Sequence, residues 1–184
     1  MAKLVAFLML TLDGYSADEN GGIDWHVVDD EFNEFALAQL NSASFLVFGR
    51  NTYEGMVEYW TSPEAMQNDP LVAEKMNTLP KVVLSHTLSQ VTWANTRLIK
   101  TQIVEEFTQL KAEQEKDLII MGSSKLCASL INLGLIDEFR LMFNPIILGK
   151  GISAFMGART LNDLRHTETR FFESGNVLQI YRRR

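Results

Sequence analysis

The sequence predicts an α/β fold: a mixed, mostly parallel central sheet, helices on both faces, and an antiparallel hairpin at the C-terminal end. Three observations carry this. Short apolar runs alternate with stretches whose apolar residues recur every three or four positions, the pattern of strand followed by amphipathic helix. The first run, Lys3 to Thr11, is almost wholly apolar without alternation, as in a central strand covered on both faces. The last two runs, Leu164 to Phe172 and Asn176 to Tyr181, flank Ser174-Gly175 and read as a hairpin. A chain of 184 residues suffices for one domain with a sizeable core, and no repeat or low-complexity tract interrupts it.

Residues 12–25, LDGYSADENGGIDW, form a polar loop whose Asp13-Gly14 and Gly21-Gly22 favour turns; a loop this long is a candidate flap. Asp29 and Asp30 open a helix from about Glu31 to Asn41 that buries Phe32, Phe35, Ala36 and Leu40. Ser44 to Phe48 is the second strand. Gly49-Arg50-Asn51-Thr52-Tyr53-Glu54 begins the next helix, with Asn51 and Glu54 at capping-box spacing. Trp60 to Pro80, containing Pro63, Pro70 and Pro80, is expected to be irregular with one short helix at most. Lys81 to Leu84 is a strand followed by the polar Ser85-His86-Thr87. Arg97 to Lys100 is another strand, and Ile103, Phe107 and Leu110 mark a helix face.

Residues 117–133, DLIIMGSSKLCASLINL, are the most informative stretch. Leu118 to Met121 reads as a buried strand and Gly122-Ser123-Ser124 as a turn. Leu126, Leu130 and Leu133 then share one helix face, with Cys127 and Ile131 beside them. Ser123 or Ser124 is expected to cap this helix. A helix start offers unpaired N–H groups and the positive end of the peptide dipoles, and a preceding glycine lets backbone approach a ligand. The geometry suits a diphosphate; an ordinary capped turn is the alternative. Ile136 to Leu148 reads as a strand broken at Pro145, and Gly149-Lys150-Gly151 turns the chain.

Composition excludes several classes. Hydrophobic content of 46% and charged content of 22% are those of an ordinary soluble protein. A net charge of −6 argues against nucleic-acid binding, and no apolar run reaches membrane-spanning length. The single cysteine, Cys127, fits a reducing, cytoplasmic compartment and reads as a buried structural thiol. His26, His86 and His166 are scattered, so no metal cluster is expected.

Five segments, LTLDGYSAD (10–18), FGRNTYEGM (48–56), VVLSHTL (82–88), IIMGSSKL (119–126) and LGLIDEFRLMFNPIILGKGISAF (133–155), together resemble the dihydrofolate-reductase-like superfamily. The nearer resemblance is to the RibD C-terminal reductase domain of riboflavin biosynthesis and its stand-alone relatives. The resemblance implies that superfamily's three-layer fold, an NADPH-dependent reductase of a pterin- or pyrimidine-like heterocycle, and a homodimer. It implies that Gly49, Arg50, Asn51, Thr52, Gly122, Ser123, Ser124 and Lys125 lie along the cofactor phosphates, and that Gly149, matching a glycine after the long strand, is cofactor-binding; turn punctuation is its alternative. Ser85, His86 and Thr87 correspond to the positions that hold the adenosine ribose and its 2′-phosphate, with Lys100 as a further cation. His86 stands where an arginine is common, which leaves NADH possible, and Ser123 stands where a second glycine is usual.

Two carboxylates are candidates for supplying the proton that accompanies hydride transfer. Asp13 ends the first strand, where ligands bind in open α/β sheets; an Asp-Gly turn is the alternative. Asp30 follows Trp25 at a spacing similar to that of the substrate-binding carboxylate in dihydrofolate reductases; a helix N-cap is the alternative. Trp25, Tyr53 and Trp60 are candidates for stacking on a planar substrate, or for packing alone. The proline usual near that tryptophan in folate enzymes is absent from residues 25–30, which weakens dihydrofolate reductase as an alternative activity. A non-catalytic nucleotide-binding or scaffold homologue is the other alternative.

Overall fold

Residues 1–159 and 163–184 are described by a computed structural model. In chain order the elements are β1 (Leu4–Thr11), β2 (Tyr15–Ala17), α1 (Asp30–Asn41), β3 (Ala43–Gly49), α2 (Arg50–Trp60), α3 (Pro63–Asn68), α4 (Pro70–Thr78) and β4 (Lys81–Leu84). There follow β5 (Thr96–Ile99), α5 (Ile103–Glu113), β6 (Asp117–Met121), α6 (Ser124–Asn132), β7 (Glu138–Asn144), β8 (Ile152–Ser153), β9 (Leu164–Phe171) and β10 (Val177–Arg183). An eight-stranded sheet has the order β5-β4-β3-β6-β1-β7-β10-β9, and β2 and β8 form a second, two-stranded sheet. The first six strands of that order are parallel to one another; β10 runs antiparallel to both β7 and β9.

The lack of alternation in β1 has a direct cause. Its Leu4, Ala6, Leu8 and Leu10 pack with Phe107 and Leu110 of α5 and Leu126 and Leu130 of α6. Its Val5 and Phe7 pack on the other face with Phe32 and Leu40 of α1, Tyr53 of α2 and Met76 of α4. Right-handed crossovers produce this division. The chain moves from β1 through β3 to β4 toward one edge of the sheet, and from β5 through β6 to β7 in the other direction. Helices of the two legs therefore fall on opposite faces. The three layers and the C-terminal antiparallel pair agree with the expected dihydrofolate-reductase-like arrangement.

Local differences from expectation have physical reasons. Residues 61–80 hold two helices, not one short one. Pro63 and Pro70 occupy first-turn positions, where the missing N–H is no loss, and the Ser62 side chain caps α3 through the Ala65 amide at 3.2 Å. The short strand β2 lies inside the segment read as a loop, and β8 directly follows the Gly149-Lys150-Gly151 turn. β7 stops at Asn144, directly before Pro145, as the strand break predicts. Cys127 is fully buried, and burial pushes its thiol up to about 12, as befits an inert packing residue.

Candidate functional site

The parallel strands deliver their C-terminal ends to one edge of the sheet. In strand order that edge carries Lys100 after β5, residues 85–87 after β4, Gly49 to Thr52 from β3 into α2, Gly122 to Lys125 after β6, and Asp13 after β1. At a strand spacing of about 4.8 Å the row spans about 19 Å. β3 passes the chain on toward β4, whereas β6 passes it across β1 to β7. The crevice between β3 and β6 is thus a topological switch point, where ligands bind in open α/β sheets.

Helices α2 and α6 begin on the two sides of this crevice. The N-cap of α2, Gly49, is extended backbone (φ −83°, ψ 166°), and no side chain caps the helix. A Cβ at Gly49 would lie 2.6 Å from Ser123 Oγ, so glycine is what lets the two helix starts meet. α6 follows two left-handed residues, Gly122 (φ +65°) and Ser123 (φ +66°). For serine that conformation costs about 1 kcal/mol or more. The expected serine cap of α6 does not form. A capping residue needs extended backbone, which Ser123 lacks, and the buried Ser124 hydroxyl instead lies 2.5 Å from Ser16 Oγ. Two uncapped helix starts at one crevice leave N–H groups and positive dipole ends facing an incoming anion.

The capping box expected at Asn51 and Glu54 is likewise absent. The helix begins at Arg50, which puts Asn51 inside it, and Asn51 Oδ1 accepts a hydrogen bond from Arg50 Nε at 3.3 Å. Arg50, Asn51, His86, Thr87, Lys100 and Lys125 are exposed, while Thr52 and Ser85 are half-buried. Ser85 Oγ accepts the amides of Thr87 and Leu88 at 3.2 and 3.1 Å, which folds the polar loop back on itself. The structure thus brings all these residues to one edge.

Beyond β6 the edge changes character. Asp13 accepts the Thr11 hydroxyl at 2.7 Å and the amides of Leu148 and Gly149 at 3.2 and 2.7 Å. These bonds, the Thr11 hydroxyl foremost, hold its carboxyl below the usual carboxylate range. Asp13 is therefore held as a clamp between the end of β1 and the turn after β7, in keeping with the turn alternative. The amide of Gly149 belongs to the same clamp. β2 pairs with β8, and a Cβ on Gly151 would overlap the Ala17 carbonyl oxygen. Ser16 donates to the Ile152 carbonyl at 3.1 Å and touches Ser124, joining the loop of residues 12–25 to the start of α6.

Trp25 is half-buried, and its ring meets His26 edge-on at 4.4 Å. The Trp25 Nε1 and His26 Nε2 atoms are buried without hydrogen-bond partners among the described residues, and burial pushes His26 down to about 4. The neighbouring Val27 is fixed by two wholly buried asparagines: its amide donates to Asn144 Oδ1 at 2.8 Å and its carbonyl accepts from Asn176 Nδ2 at 2.9 Å. Asp29 takes the cap of α1, accepting the Phe32 amide at 2.8 Å, and Asp30 stands exposed in the first turn. Glu31 accepts Arg170 and the Glu173 amide, each at 2.9 Å.

Tyr53 corrects an expectation. It is 3% exposed, its hydroxyl accepts the amides of Thr92 and Trp93 at 2.9 and 3.0 Å, and its ring packs near Trp93. No ring face remains for a substrate. Trp60 is half-buried on the same helix and donates to Met56 Sδ at 3.2 Å. Thr11, Ser16, Asn144 and Asn176 were not singled out in the sequence. An asparagine directly before a strand-ending proline, as at Asn144, was the one available signal.

Comparison with known proteins bears on the assignment. The RibD C-terminal domain family matches residues 2–180. The protein YyaP of Bacillus subtilis, described as uncharacterized, is 30% identical over 97% of this chain and 94% of its own length. A protein assigned to riboflavin biosynthesis from Shewanella sp. PV-4 superposes with a TM-score of 0.77 at 24% identity, covering 99% of both chains. A Thermotoga maritima diaminohydroxyphosphoribosylaminopyrimidine deaminase/5-amino-6-(5-phosphoribosylamino)uracil reductase matches with a TM-score of 0.71 at 16% identity, over 100% of this chain and 57% of that one. Enterococcus faecalis dihydrofolate reductase matches with a TM-score of 0.65 at 18% identity, over 98% and 96%. At these identities the solved structures show the shared dihydrofolate-reductase-like fold alone. The match along residues 2–180, on a sheet edge with two converging helix starts, makes this protein a member of the RibD C-terminal domain family.

Proposed function

We propose that the protein is an NADPH-dependent reductase of a pterin- or pyrimidine-like heterocycle. One observation carries the reading: the uncapped starts of α2 and α6 meet at the switch point, with Gly49 against Ser123. That cradle fits a diphosphate, and Arg50 and Lys125 in the two first turns add cationic donors. Ser85, Thr87 and Lys100, one and two strands further on, suit the ribose and its 2′-phosphate. Because His86 stands in place of an arginine, NADH is the expected weaker second ligand.

NADPH, when bound, supplies the hydride. This chain's residues supply position. The Asp13 clamp fixes the end of β1 relative to the turn after β7, and the Ser16–Ser124 contact ties the flap to the diphosphate loop. Trp25 and the flap exclude water from the reacting end. Asp30, exposed at the start of α1, is the proposed source of the proton.

Calorimetric titration with NADPH and NADH tests the reading. Saturable binding, tighter for NADPH, is expected. No binding of either at millimolar concentration removes the proposal. Binding without turnover of pterins, dihydrofolate and aminouracils would instead assign a non-catalytic nucleotide-binding role.

A further inference from the structure

We infer that the substrate carries no phosphate: the site takes an electrically neutral heterocycle. This rests on the reductase reading above and names the substrate class of that same site. With the nucleotide lying from β5 to β6, its reactive end points toward the ends of β1 and β7. The surface there is apolar and acidic.

The apolar part is Leu12, Ile23, Val28 and Ile147, which are 59%, 46%, 53% and 70% exposed. Backbone bonds tie their segments to the same strand ends. The Leu12 amide donates to the Ile146 carbonyl at 2.9 Å, and the His26 amide donates to the Ile23 carbonyl at 3.0 Å. The Val27 amide reaches Asn144, which pairs in register with Thr11. Large aliphatic side chains left in water around one strand end mark a binding surface, and small-molecule sites are lined mainly by such groups.

The charge decides what binds there. Between Lys3 and Arg50 the chain holds eight carboxylates and no lysine or arginine. That stretch supplies the flap, Trp25 and α1. Among the described residues, the cations of the flap turn and of β9, Lys150 and Arg170, each face a carboxylate: Lys150 lies 2.5 Å from Glu19 in an exposed pair and Arg170 lies 2.9 Å from Glu31. Asp24 and Asp30 have no cationic partner among the described residues. A phosphate dianion needs free arginine or lysine donors, and here it would meet carboxylates. A neutral ring system finds aliphatic contacts and no charge to oppose it.

The test compares a ribityl-substituted aminouracil with its 5′-phosphate ester, each titrated into the NADPH-saturated protein. At low salt the ester is expected to bind at least about tenfold more weakly, and added salt narrows the gap by screening repulsion. Ile147→Lys, which sets a cation in the exposed apolar rim, is expected to narrow it as well. Equal or tighter binding of the ester by the wild-type protein overturns the inference while leaving the reductase reading intact. Binding of neither compound to the NADPH-saturated protein also overturns it. Failure to bind NADPH at all removes both.

Discussion

The two ends of one sheet edge are built from opposite charge. From β5 to β6 the edge presents Arg50, Lys100 and Lys125, none of them in an ion pair among the described residues. From β1 onward it presents Asp13, Asp24, Asp29, Asp30 and Glu31, and its two cations are tied to carboxylates. The backbone differs as well. The first end leaves two helix starts uncapped, whereas Asp29 caps the helix that starts at the second. A pair of uncapped helix starts beside an acidic and apolar surface is the arrangement that the proposed nucleotide and neutral heterocycle would require. The difference teaches that net charge, −6 for the whole chain, says little about a site whose halves have opposite sign.

The sharpest way to break this comparison is at Arg50. A charge-assisted bond contributes about 1.5–3 kcal/mol, so Arg50→Ala is expected to weaken NADPH binding about 10- to 100-fold in a fluorescence titration. Asp30→Asn, on the other half, is expected to leave that affinity unchanged and to lower turnover. Equal effects of the two substitutions on affinity would erase the distinction between the halves.

A pH experiment sharpens the acidic half next. His26 takes up a proton near 6.5 in the unfolded chain and near 4 in the folded one. Between those values the unfolded state binds more protons, so stability is full above about pH 6.5 and falls as the pH drops toward 4. The expected loss is about 2 kcal/mol, allowing for the partial exposure of the ring. Urea melts at pH 7 and 4.5 should show it, and His26→Asn should flatten it.

Smaller effects are expected at the meeting of the helix starts. Gly49→Ala pushes a methyl group against the Ser123 hydroxyl and is expected to weaken NADPH about tenfold, near 1.4 kcal/mol. Adding Ser123→Gly should restore much of the loss, and no restoration would mean that the close approach is irrelevant to binding. Ser123→Gly alone relieves left-handed strain and is expected to stabilise the protein by about 1 kcal/mol, a rise of about 2–4 °C in thermal midpoint.

Much of the fold was legible because its signals are local. The unalternating β1 run, the Leu126-Leu130 face and the Ser174-Gly175 hairpin each declare themselves within eighteen residues or fewer. The misreadings arose where one local signal has two meanings. Proline breaks a helix interior and also begins a helix, so Pro63 and Pro70 read as irregular chain from sequence alone. Serine before a helix suggests a cap, but a cap needs extended backbone, and Ser123 has φ +66°. An aromatic residue in a helix's first turn suits stacking or core equally, and only the contact with Trp93 and two backbone amides decides for Tyr53.

Sequence alone therefore determined the alternation of strands and helices, the two covered faces of β1, and the segments that end at one sheet edge. Periodicity and turn chemistry act over a few residues, so they can be read from a few residues. Tertiary structure alone decided that Gly49 abuts Ser123, that Asp13 is a clamp held by Thr11 and the turn after β7, and that charge divides along the edge. The contacts of Gly49 with Ser123 and of Asp13 with Gly149 join positions more than seventy residues apart. Only strand order and register, fixed by packing of both faces at once, bring such positions within reach of one ligand.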